Sequence, residues 1–411
     1  HMPLAHAPTC FWGTRLKIAC RFQALALMII LCCIRAPALA QNPGILLMDD
    51  KGNILYSKNK DIPKVPASTL KLLTGLAAIK HFGGEFRFST LASYDPVSRD
   101  LHVKGLGDPL FISEAIEDFT GALLKQFDSP SFGPVRHILL DHSFFDKNIH
   151  IPGTGNSLNP YDATTGALCA NFNTLAFRWN PETGRFVSDE PQTPLLEIFM
   201  EKIRSTGMRK GRILLEMDYR QIYAGLLIQS FLQARGTPVS GKIKPGTLPE
   251  VPGHPHFYYP SPFTLNQIIE KLLKFSNNFI ANQLILTMGA RIFGPPANLE
   301  KGIRALEGFS KNDLGLEGIA LAEGSGLSRQ NRLTPLHMGQ ILLAFMPFHK
   351  LMPENRNEYY KTGTLSDVRC RAGFIKGKNK KLYPFVIMIN EQNKGYDAIL
   401  KDLIQMVGIR G

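Results

Sequence analysis

Regular helix and strand patterns at both ends of this chain enclose a middle region of different character. Residues 44–59 contain two β-type runs around an Asp-Asp-Lys-Gly-Asn turn, which predicts a hairpin. Helical patterns dominate residues 264–346, and a second predicted hairpin leads to an amphipathic helix at 396–407. Between these regions, short β-like runs and many turns surround one helical stretch, 223–236. This order predicts a discontinuous domain that is interrupted by an insertion.

The predicted fold class is α+β, with two domains, one of which is built from two separate segments of the chain. Residues 41–88 and 256–411 are expected to form the discontinuous domain, and residues 89–255 the inserted, β-rich domain. A chain of 411 residues is long enough for two or three units with cores of their own. Within the later part, two predicted helices, 264–275 and 279–293, flank a Ser-Asn-Asn break.

Residues 1–40 have the three-part build of a secretory signal peptide. A basic start precedes an apolar run (22–34), and small residues follow at the expected cleavage site. The apolar run is shorter than the roughly 20 residues that a membrane-spanning helix needs, although an uncleaved membrane anchor stays the alternative. We place the mature start near Gln41 and expect export to the periplasm or another extracytoplasmic cell-wall space.

The chain is basic, with a formal net charge of +13. It stays basic without the predicted signal, which carries four basic residues and no acidic one. Outside the cytoplasm, this charge favours weak association with anionic cell-wall polymers or lipid surfaces. No arginine-rich block or aromatic-basic strand pattern supports nucleic-acid binding. We therefore expect no nucleic-acid partner.

The sequence gives little support for a disulfide framework or a metal site. Four of the six cysteines lie in the predicted signal, and Cys169 and Cys370 remain. Neither has a histidine beside it in the sequence, so we expect small buried residues. The eleven histidines show no spacing that suits zinc. We therefore expect neither a metal nor a cofactor.

Ser68 and Lys71 lie just after Pro66, at the head of an apolar helical run (65–79). A spacing of three on a helix brings two side chains to one face. A serine hydroxyl is a weak nucleophile until its proton is removed, and a lysine does this only when burial or a second cation destabilises its ammonium. Alone, this pair is a weak signal, and a polar lysine on a core helix is the alternative.

Two further polar motifs follow in order along the chain. Ser-Asn-Asn (276–278) lies in the break between two predicted helices, where short side chains can project into a cleft. Lys-Thr-Gly-Thr (361–364) begins a β run that continues into the terminal hairpin. Each alone would be an ordinary turn. Together with the serine-lysine pair they match the motif set of class A β-lactamases and penicillin-binding proteins.

Four longer stretches carry a resemblance to one family. They are GLGDPLF (105–111), GALCANFN (166–173), EGSGLSRQNRLTP (323–335) and KTGTLSDVRCRAGFI (361–375). With the three motifs, these stretches resemble the D-Ala-D-Ala carboxypeptidases of peptidase family S13, the penicillin-binding protein 4 type of low-molecular-mass class C. The resemblance implies a β-lactamase/transpeptidase-like domain, an antiparallel sheet flanked by helices, with an inserted accessory domain.

The resemblance also implies a mechanism. Ser68 would attack the carbonyl between two terminal D-alanines, with Lys71 as the base. The backbone amides of Ser68 and Thr364 would hold the oxyanion. Ser276 would pass a proton to the departing amine, and water would hydrolyse the acyl-enzyme. Carboxypeptidase and cross-link endopeptidase activity cleave the same type of bond, so both stay open.

The substrate-binding residues implied by the resemblance are Asn278, Lys361, Thr362, Gly363 and Thr364. Asn278 would hold the substrate amide, and the Lys-Thr-Gly-Thr strand would bind the terminal carboxylate. The expected partners are peptidoglycan and its D-Ala-D-Ala peptides. A β-lactam presents a similar carbonyl and carboxylate, so β-lactam antibiotics are expected as covalent inhibitors.

Two other interpretations stay open. A β-lactamase would need a placed base for rapid deacylation, and no glutamate loop of the compact class is visible. A non-catalytic wall-binding protein would have no need of a lysine beside a serine. The sequence also departs from the family, because Glu323 stands where aspartate is usual before Gly-Ser-Gly. The segment before Lys361, from Phe345 to Tyr360, is shorter than usual.

Overall fold

The computed structural model describes residues 42–127, 132–155, 162–249, 256–378, 381–392 and 394–410. The predicted signal peptide (1–40) lies outside these residues. The chain from Asn42 onward forms one compact unit. None of the helices in the described ranges is both long and apolar enough to cross a bilayer.

Helices and strands occur throughout the described residues, which confirms the predicted α+β class. The strands are β1 (Gly44–Met48), β2 (Ile54–Lys58), β3 (Arg87–Asp95), β4 (Asp100–Gly105), β5 (Ile138–Asp141), β6 (Thr174–Asn180), β7 (Arg185–Ser188), β8 (Lys210–Leu214), β9 (Ile243–Pro245), β10 (Phe257–Thr264), β11 (Glu358–Leu365), β12 (Val368–Lys376) and β13 (Leu382–Ile389). The α-helices are α1 (Lys71–Phe82), α2 (Ser113–Gln126), α3 (Met200–Ser205), α4 (Met217–Arg220), α5 (Tyr223–Ala234), α6 (Leu265–Phe275), α7 (Asn278–Phe293), α8 (Leu299–Asn312), α9 (Pro335–Phe345) and α10 (Asp397–Arg410).

The first sheet joins the two ends of the chain. Its five strands are antiparallel, in the order β11-β12-β13-β1-β2. Both predicted hairpins, β1–β2 and β12–β13, are confirmed. The pairing of β13 with β1 stops at Phe385, so Pro384 lies where β13 has only β12 beside it. This position suits a residue that cannot donate a ladder hydrogen bond. Strand β11 forms one edge of the sheet.

Helices cover both faces of this sheet. Because side chains alternate along a strand, Val386 and Met388 join a large core with α1, α6 and α9, whereas Phe385 and Ile387 join a smaller core under α10. Residues 71–79 of α1 are all buried. A helix that is buried all round lies inside a core rather than on its surface. The helix that carries Lys71 is therefore fixed by packing on every side.

Two further sheets are built from the middle of the chain. One has the order β10-β3-β4-β5-β9, with β4, β5 and β9 parallel, and the other has the order β7-β6-β8. All these strands come from residues 87–264. The exact domain limits, 41–88 with 256–411 and 89–255, stay a prediction.

The expectation of a single helical stretch in this middle region is wrong. The predicted helix is present as α5, but α2 is a second long helix, of 14 residues. Ala115, Ile116, Phe119 and Leu123 form its buried face. Their spacing of three and four residues is a helical period, which the short, turn-rich texture of the neighbouring sequence concealed.

Candidate active site

The serine of the first motif lies in a tight turn at the entrance to α1. Ser68 is the second residue of a 3-10 turn, Ala67–Leu70, that runs directly into the helix. Ala67 is buried with φ of 47°, a strained conformation for a residue with a Cβ. A Cβ on Gly326 would lie 1.7 Å from the Ala67 carbonyl oxygen, and one on Gly363 would lie 2.9 Å from the Ser68 nitrogen. The turn is thus clamped between a loop and strand β11.

Lys71 reaches three oxygen atoms from inside the core. Its side chain is fully buried. The Nζ atom lies 2.9 Å from Ser68 Oγ, 2.8 Å from Asn278 Oδ1 and 2.7 Å from the backbone carbonyl oxygen of Ser325. These three contacts fix the amine directly beside the serine hydroxyl.

The surroundings of Lys71 disfavour its charged form. Burial lowers its pKa well below the usual lysine value, and the positive charge of Lys361 lowers the pKa further. The negative charge of Glu323 acts in the opposite direction. No carboxylate hydrogen-bonds to Lys71 within the described residues. The amine can therefore be uncharged under conditions in which an exposed lysine is protonated.

The Ser-Asn-Asn segment turns two polar side chains toward the two lysines. Ser276 ends α6 in a left-handed conformation with φ of 54°, and Asn277 caps α7 with its side chain. Asn278 is the first residue of α7. Lys361 Nζ donates to Ser276 Oγ at 2.8 Å, while Lys71 donates to Asn278. This break between two helices therefore links the first motif to the third.

Lys361 lies on the edge strand β11 and is almost fully buried, with 2% of its surface exposed. Its Nζ donates to Ser276 Oγ and, at 2.7 Å, to the backbone carbonyl oxygen of Thr362. Burial lowers the pKa of Lys361 to about 8. Farther along the same strand, Thr362 is half-buried and Thr364 is exposed. The strand begins at Glu358, three residues before the predicted start.

A buried carboxylate organises the loop that reaches Lys71. Glu323 is fully buried. It accepts hydrogen bonds from six groups: the backbone N–H groups of Ser325, Gly326 and Ser328, the Ser325 hydroxyl, and the side-chain amides of Asn282 and Asn331. This set fixes both the Ser325 carbonyl, which holds Lys71, and Gly326, which contacts the turn of Ser68.

The structure thus brings the predicted residues into one small region. Side-chain hydrogen bonds connect Ser68, Lys71 and Asn278, and another joins Ser276 to Lys361. Thr362, Gly363 and Thr364 follow on β11.

Sequence reasoning missed the Ser325 carbonyl and the hydrogen-bond network around Glu323. The signal in the sequence is the Glu-Gly-Ser-Gly stretch itself, because glycines mark close backbone approach. Among the described residues no group of histidine, cysteine and carboxylate side chains could hold a metal ion. Cys169 and Cys370 are free and buried, as expected.

The fold and the three motifs define the class, a β-lactamase/transpeptidase-like α+β protein with a Ser-x-x-Lys site. The D-Ala-D-Ala carboxypeptidase 3 (S13) family model matches residues 33–207 and 204–350. The chain belongs to this family.

Curated relatives agree with that assignment. A D-alanyl-D-alanine carboxypeptidase of Actinomadura sp. (strain R39) is 23% identical over 350 residues, covering 71% of this chain and 62% of the relative. DacB of Haemophilus influenzae, also a D-alanyl-D-alanine carboxypeptidase, is 27% identical over 203 residues, covering 42% of this chain and 41% of the relative. The chain thus spans less than two thirds of the length of these curated relatives.

The solved structures show the fold. Penicillin-binding protein 4 from Haemophilus influenzae has a TM-score of 0.69 at 20% identity, covering 90% of this chain and 96% of that chain. A predatory peptidoglycan endopeptidase from Bdellovibrio bacteriovorus has a TM-score of 0.54 at 15% identity, covering 89% of this chain and 90% of that chain.

Proposed function

We propose that this protein is a serine-type DD-peptidase, which hydrolyses the bond between the two terminal D-alanines of peptidoglycan stem peptides. One observation carries the proposal: a fully buried lysine amine, Lys71, lies 2.9 Å from the hydroxyl oxygen of Ser68. Membership of the S13 family supports the substrate class. A structural lysine would gain nothing from this position, since burial without a carboxylate partner destabilises its charge.

Acylation begins with proton transfer from Ser68 to Lys71. An uncharged amine has two N–H groups and one lone pair. It donates to Asn278 and to the Ser325 carbonyl, and its lone pair accepts the proton of the Ser68 hydroxyl. The Ser68 oxygen then attacks the peptide carbonyl. The backbone N–H groups of Ser68 and Thr364 donate hydrogen bonds to the carbonyl oxygen and stabilise its negative charge.

Collapse of the tetrahedral intermediate requires a proton for the leaving amine. In this mechanism, the proton taken up by Lys71 reaches the amine through the Ser276 hydroxyl, which Lys361 holds at 2.8 Å. D-Alanine, or a cross-linked peptide that ends in the same amine, departs. Water then attacks the Ser68 ester, and Lys71 takes a proton from that water. Lys71 returns the proton to the Ser68 oxygen as the ester bond breaks, and the shortened peptide is released. These steps use water and groups of this chain, both side chains and backbone.

The strand side of the site recognises the substrate carboxylate. With a pKa of about 8, Lys361 is mostly protonated at neutral pH. Its charge and the hydroxyls of Thr362 and Thr364 attract the terminal carboxylate, with Gly363 keeping the strand close to Ser68. Asn278 holds the substrate amide. β-Lactams carry a carboxylate beside a reactive carbonyl, so they acylate Ser68 and leave slowly.

Export to the extracytoplasmic space belongs to this proposal, because the substrate lies in the cell wall. The sequence supports it through residues 1–40. The two activities differ in the amine that departs. Departure of free D-alanine is carboxypeptidase activity, and departure of a cross-linked peptide is endopeptidase activity. The Haemophilus influenzae protein is named a carboxypeptidase, and the Bdellovibrio protein is named an endopeptidase.

Labelling with a fluorescent penicillin tests the proposal. Wild type should carry one label, and Ser68→Ala should carry none while keeping the same melting temperature. Mass spectrometry of muropeptides after digestion should then show loss of terminal D-alanine, cleavage of cross-links, or both. Absence of serine-dependent labelling would overturn the proposal. Binding to cell-wall sacculi without release of any D-alanine would favour a non-catalytic wall-binding protein, and rapid penicillin turnover would favour a β-lactamase.

A further inference from the structure

A surface groove lies at the far ends of two helices that begin at the candidate active site. Lys71 is the first residue of α1 and Asn278 the first of α7, and the hydrogen bond between them joins the two helix starts. The later turns of both helices, together with α8, line a groove of about 350 Å³. At a rise of about 1.5 Å per residue, the groove lies roughly 15 to 20 Å along the helices from these two residues.

The groove has a buried apolar floor and an exposed apolar edge. Ala77, Met288 and Ala305 are buried and form the floor. Ile292 and Phe293, the last two residues of α7, form the edge and are 46% and 38% exposed. Single exposed apolar side chains are ordinary on a protein surface, whereas adjacent ones beside an apolar groove mark an interaction site.

Three cations surround the exposed edge. Lys80 and Arg304 line the groove, and Arg291 directly precedes Ile292. The charge of Arg291 also acts on His81, which lines the groove and has its pKa lowered by burial and by this charge. Asp313 contributes a carboxylate to the lining, so the three cations outnumber it.

None of these three cations forms an ion pair with a carboxylate in the part of the chain that the structure describes. Each lies over an aromatic ring instead. The distances from the cationic centre to the ring centroid are 5.6 Å for Lys80 over Phe348, 6.0 Å for Arg291 over Phe86 and 4.3 Å for Arg304 over Phe293. An aromatic ring leaves the positive charge uncompensated, so it stays open to an external anion.

Exposed apolar side chains beside unpaired cations match the boundary of an anionic bilayer, where acyl chains and phosphate groups lie close together. We propose that this groove docks the protein on the surface of an anionic lipid bilayer. Ile292 and Phe293 reach the acyl region, and Lys80, Arg291 and Arg304 contact lipid phosphate groups. An anionic wall polymer would engage the cations but leave the apolar pair exposed, so it matches only half of the surface.

Docking through the groove leaves the candidate active site uncovered. The turn of Ser68 and the start of α7 lie at the opposite ends of the helices that carry the groove. A bilayer at the groove therefore contacts the molecule away from the site, and a polymer beyond the membrane surface can reach Ser68. The docking does not depend on the proposed function.

Co-sedimentation with lipid vesicles tests the proposal. The chain is used from Gln41, because the compact unit begins at Asn42 and the apolar run at 22–34 would itself bind lipid. Wild type should bind vesicles of equal parts phosphatidylglycerol and phosphatidylcholine. It should bind phosphatidylcholine vesicles about tenfold more weakly, and added salt should weaken binding to the anionic vesicles.

One pair of variants tests the apolar contribution. Ile292→Asn should weaken binding to the anionic vesicles about fivefold, because it removes apolar area that the acyl region would bury. Ile198→Asn is the matched control, since Ile198 is also 46% exposed but lies outside the groove. This control should bind as the wild type does.

A second pair tests the charges. The double variant Arg291→Gln with Arg304→Gln should weaken binding to the anionic vesicles about thirtyfold. Its control is Lys271→Gln with Lys274→Gln, which removes two cations that also lie over aromatic rings but belong to α6. The control should lose much less affinity. If Ile292→Asn lowers the melting temperature, the two double variants carry the test.

Absence of binding to the anionic vesicles, or an equal loss of affinity in both double variants, would overturn the proposal. Two other occupants of the groove would also replace the bilayer. Binding to soluble polyglutamate that equals vesicle binding and survives Ile292→Asn would make the groove a site for anionic polymers. A dimer detected by sedimentation velocity and lost in Ile292→Asn would place a second copy of this chain there.

Discussion

The two buried lysines of the site lie on different elements and have different properties. We call the side formed by α1 the helix wall and the side formed by β11 the strand wall. Lys71, on the helix wall, has three oxygen partners and a pKa far below the usual lysine value. Lys361, on the strand wall, has two oxygen partners and a pKa of about 8. Near neutral pH, one amine is suited to accept a proton and the other to carry a charge. The comparison teaches that burial, together with the positive charge of Lys361 acting on Lys71, divides the work between two chemically identical groups.

Glu323 preserves this difference although it lies close to Lys71. A carboxylate bound directly to Lys71 would raise its pKa and keep it charged. Here the carboxylate oxygens accept six other hydrogen bonds, mostly from its own loop. The carboxylate therefore fixes the loop through hydrogen bonds and affects Lys71 only by electrostatic interaction without direct contact.

Removing the helix-wall amine should have the largest effect. Lys71→Met keeps the length of the side chain but has no base, so the second-order rate of penicillin acylation should fall about 10³-fold. Lys80→Met, an exposed lysine on the same helix, is the control and should keep the wild-type rate. Stopped-flow or gel-based labelling measures both. An acylation rate for Lys71→Met within a factor of a few of wild type would remove Lys71 from the mechanism.

Adding a side chain at Gly326, where the loop contacts the turn of Ser68, should have the next largest effect on acylation. Gly326 has φ of 84°, and a Cβ there would overlap the Ala67 carbonyl. Gly326→Ala should therefore displace Ser68 and reduce acylation about 100-fold. Gly315→Ala provides a matched control, because Gly315 also has positive φ (64°) but nothing lies within 4 Å of its Cβ position. Equal acylation rates in the two variants would show that the turn is not clamped.

Neutralising the buried carboxylate of Glu323 should have a more moderate effect on the acylation rate, together with a loss of stability. Glu323→Gln cannot accept all six hydrogen bonds, so the free energy of unfolding should fall by about 2 kcal/mol and acylation about tenfold. Loss of the negative charge also lowers the Lys71 pKa, so the acid limb of the pH profile should move to lower pH.

Glu323→Asp keeps the charge and serves as the comparison for this variant. It should return the acid limb toward its wild-type position. An unshifted acid limb in Glu323→Gln, measured alongside the melting temperatures, would limit Glu323 to a structural role.

Removing the charge of Lys361 on the strand wall should have the smallest effect. A change of pH is enough to remove it, without any substitution. As the pH rises from 7 to 8.5, through the pKa of about 8, Lys361 loses its proton. Affinity for the carboxylate of a penicillin should then decrease about fourfold. Lys361→Arg, which stays charged, should lose this pH dependence. A wild-type affinity that is constant across this interval would show that the charge of Lys361 is not used.

The residues that the candidate site brings together could be predicted because each motif is a side-chain pattern. Ser68 with Lys71, the segment 276–278 and the strand 361–364 have fixed residue types at fixed spacing. The partner of Lys71 from the loop could not be predicted, because it is the backbone carbonyl of Ser325, and every residue has such a carbonyl. The buried network of Glu323 likewise depends on contacts between distant segments.

The fold was predicted best where periodicity is regular. Helices α6 and α7 and both terminal hairpins follow from local patterns of apolar residues and turns. Helix α2 has an equally clear period, with Ala115, Ile116 and Phe119 on its buried face, but it lies among short strands. The order of the strands in the second sheet, including the parallel β4-β5-β9 set, is decided by non-local pairing that a single sequence does not display.

The most direct test of the account is the pH dependence of Ser68 acylation in the wild-type protein. The first-order rate at saturating penicillin reports the protonation state of Lys71 in the complex. An uncharged Lys71 at neutral pH predicts a rate that is already constant around pH 7 and falls tenfold per pH unit only in the acid range. A rate that keeps rising to above pH 9, as expected for an ordinary lysine, would contradict the account.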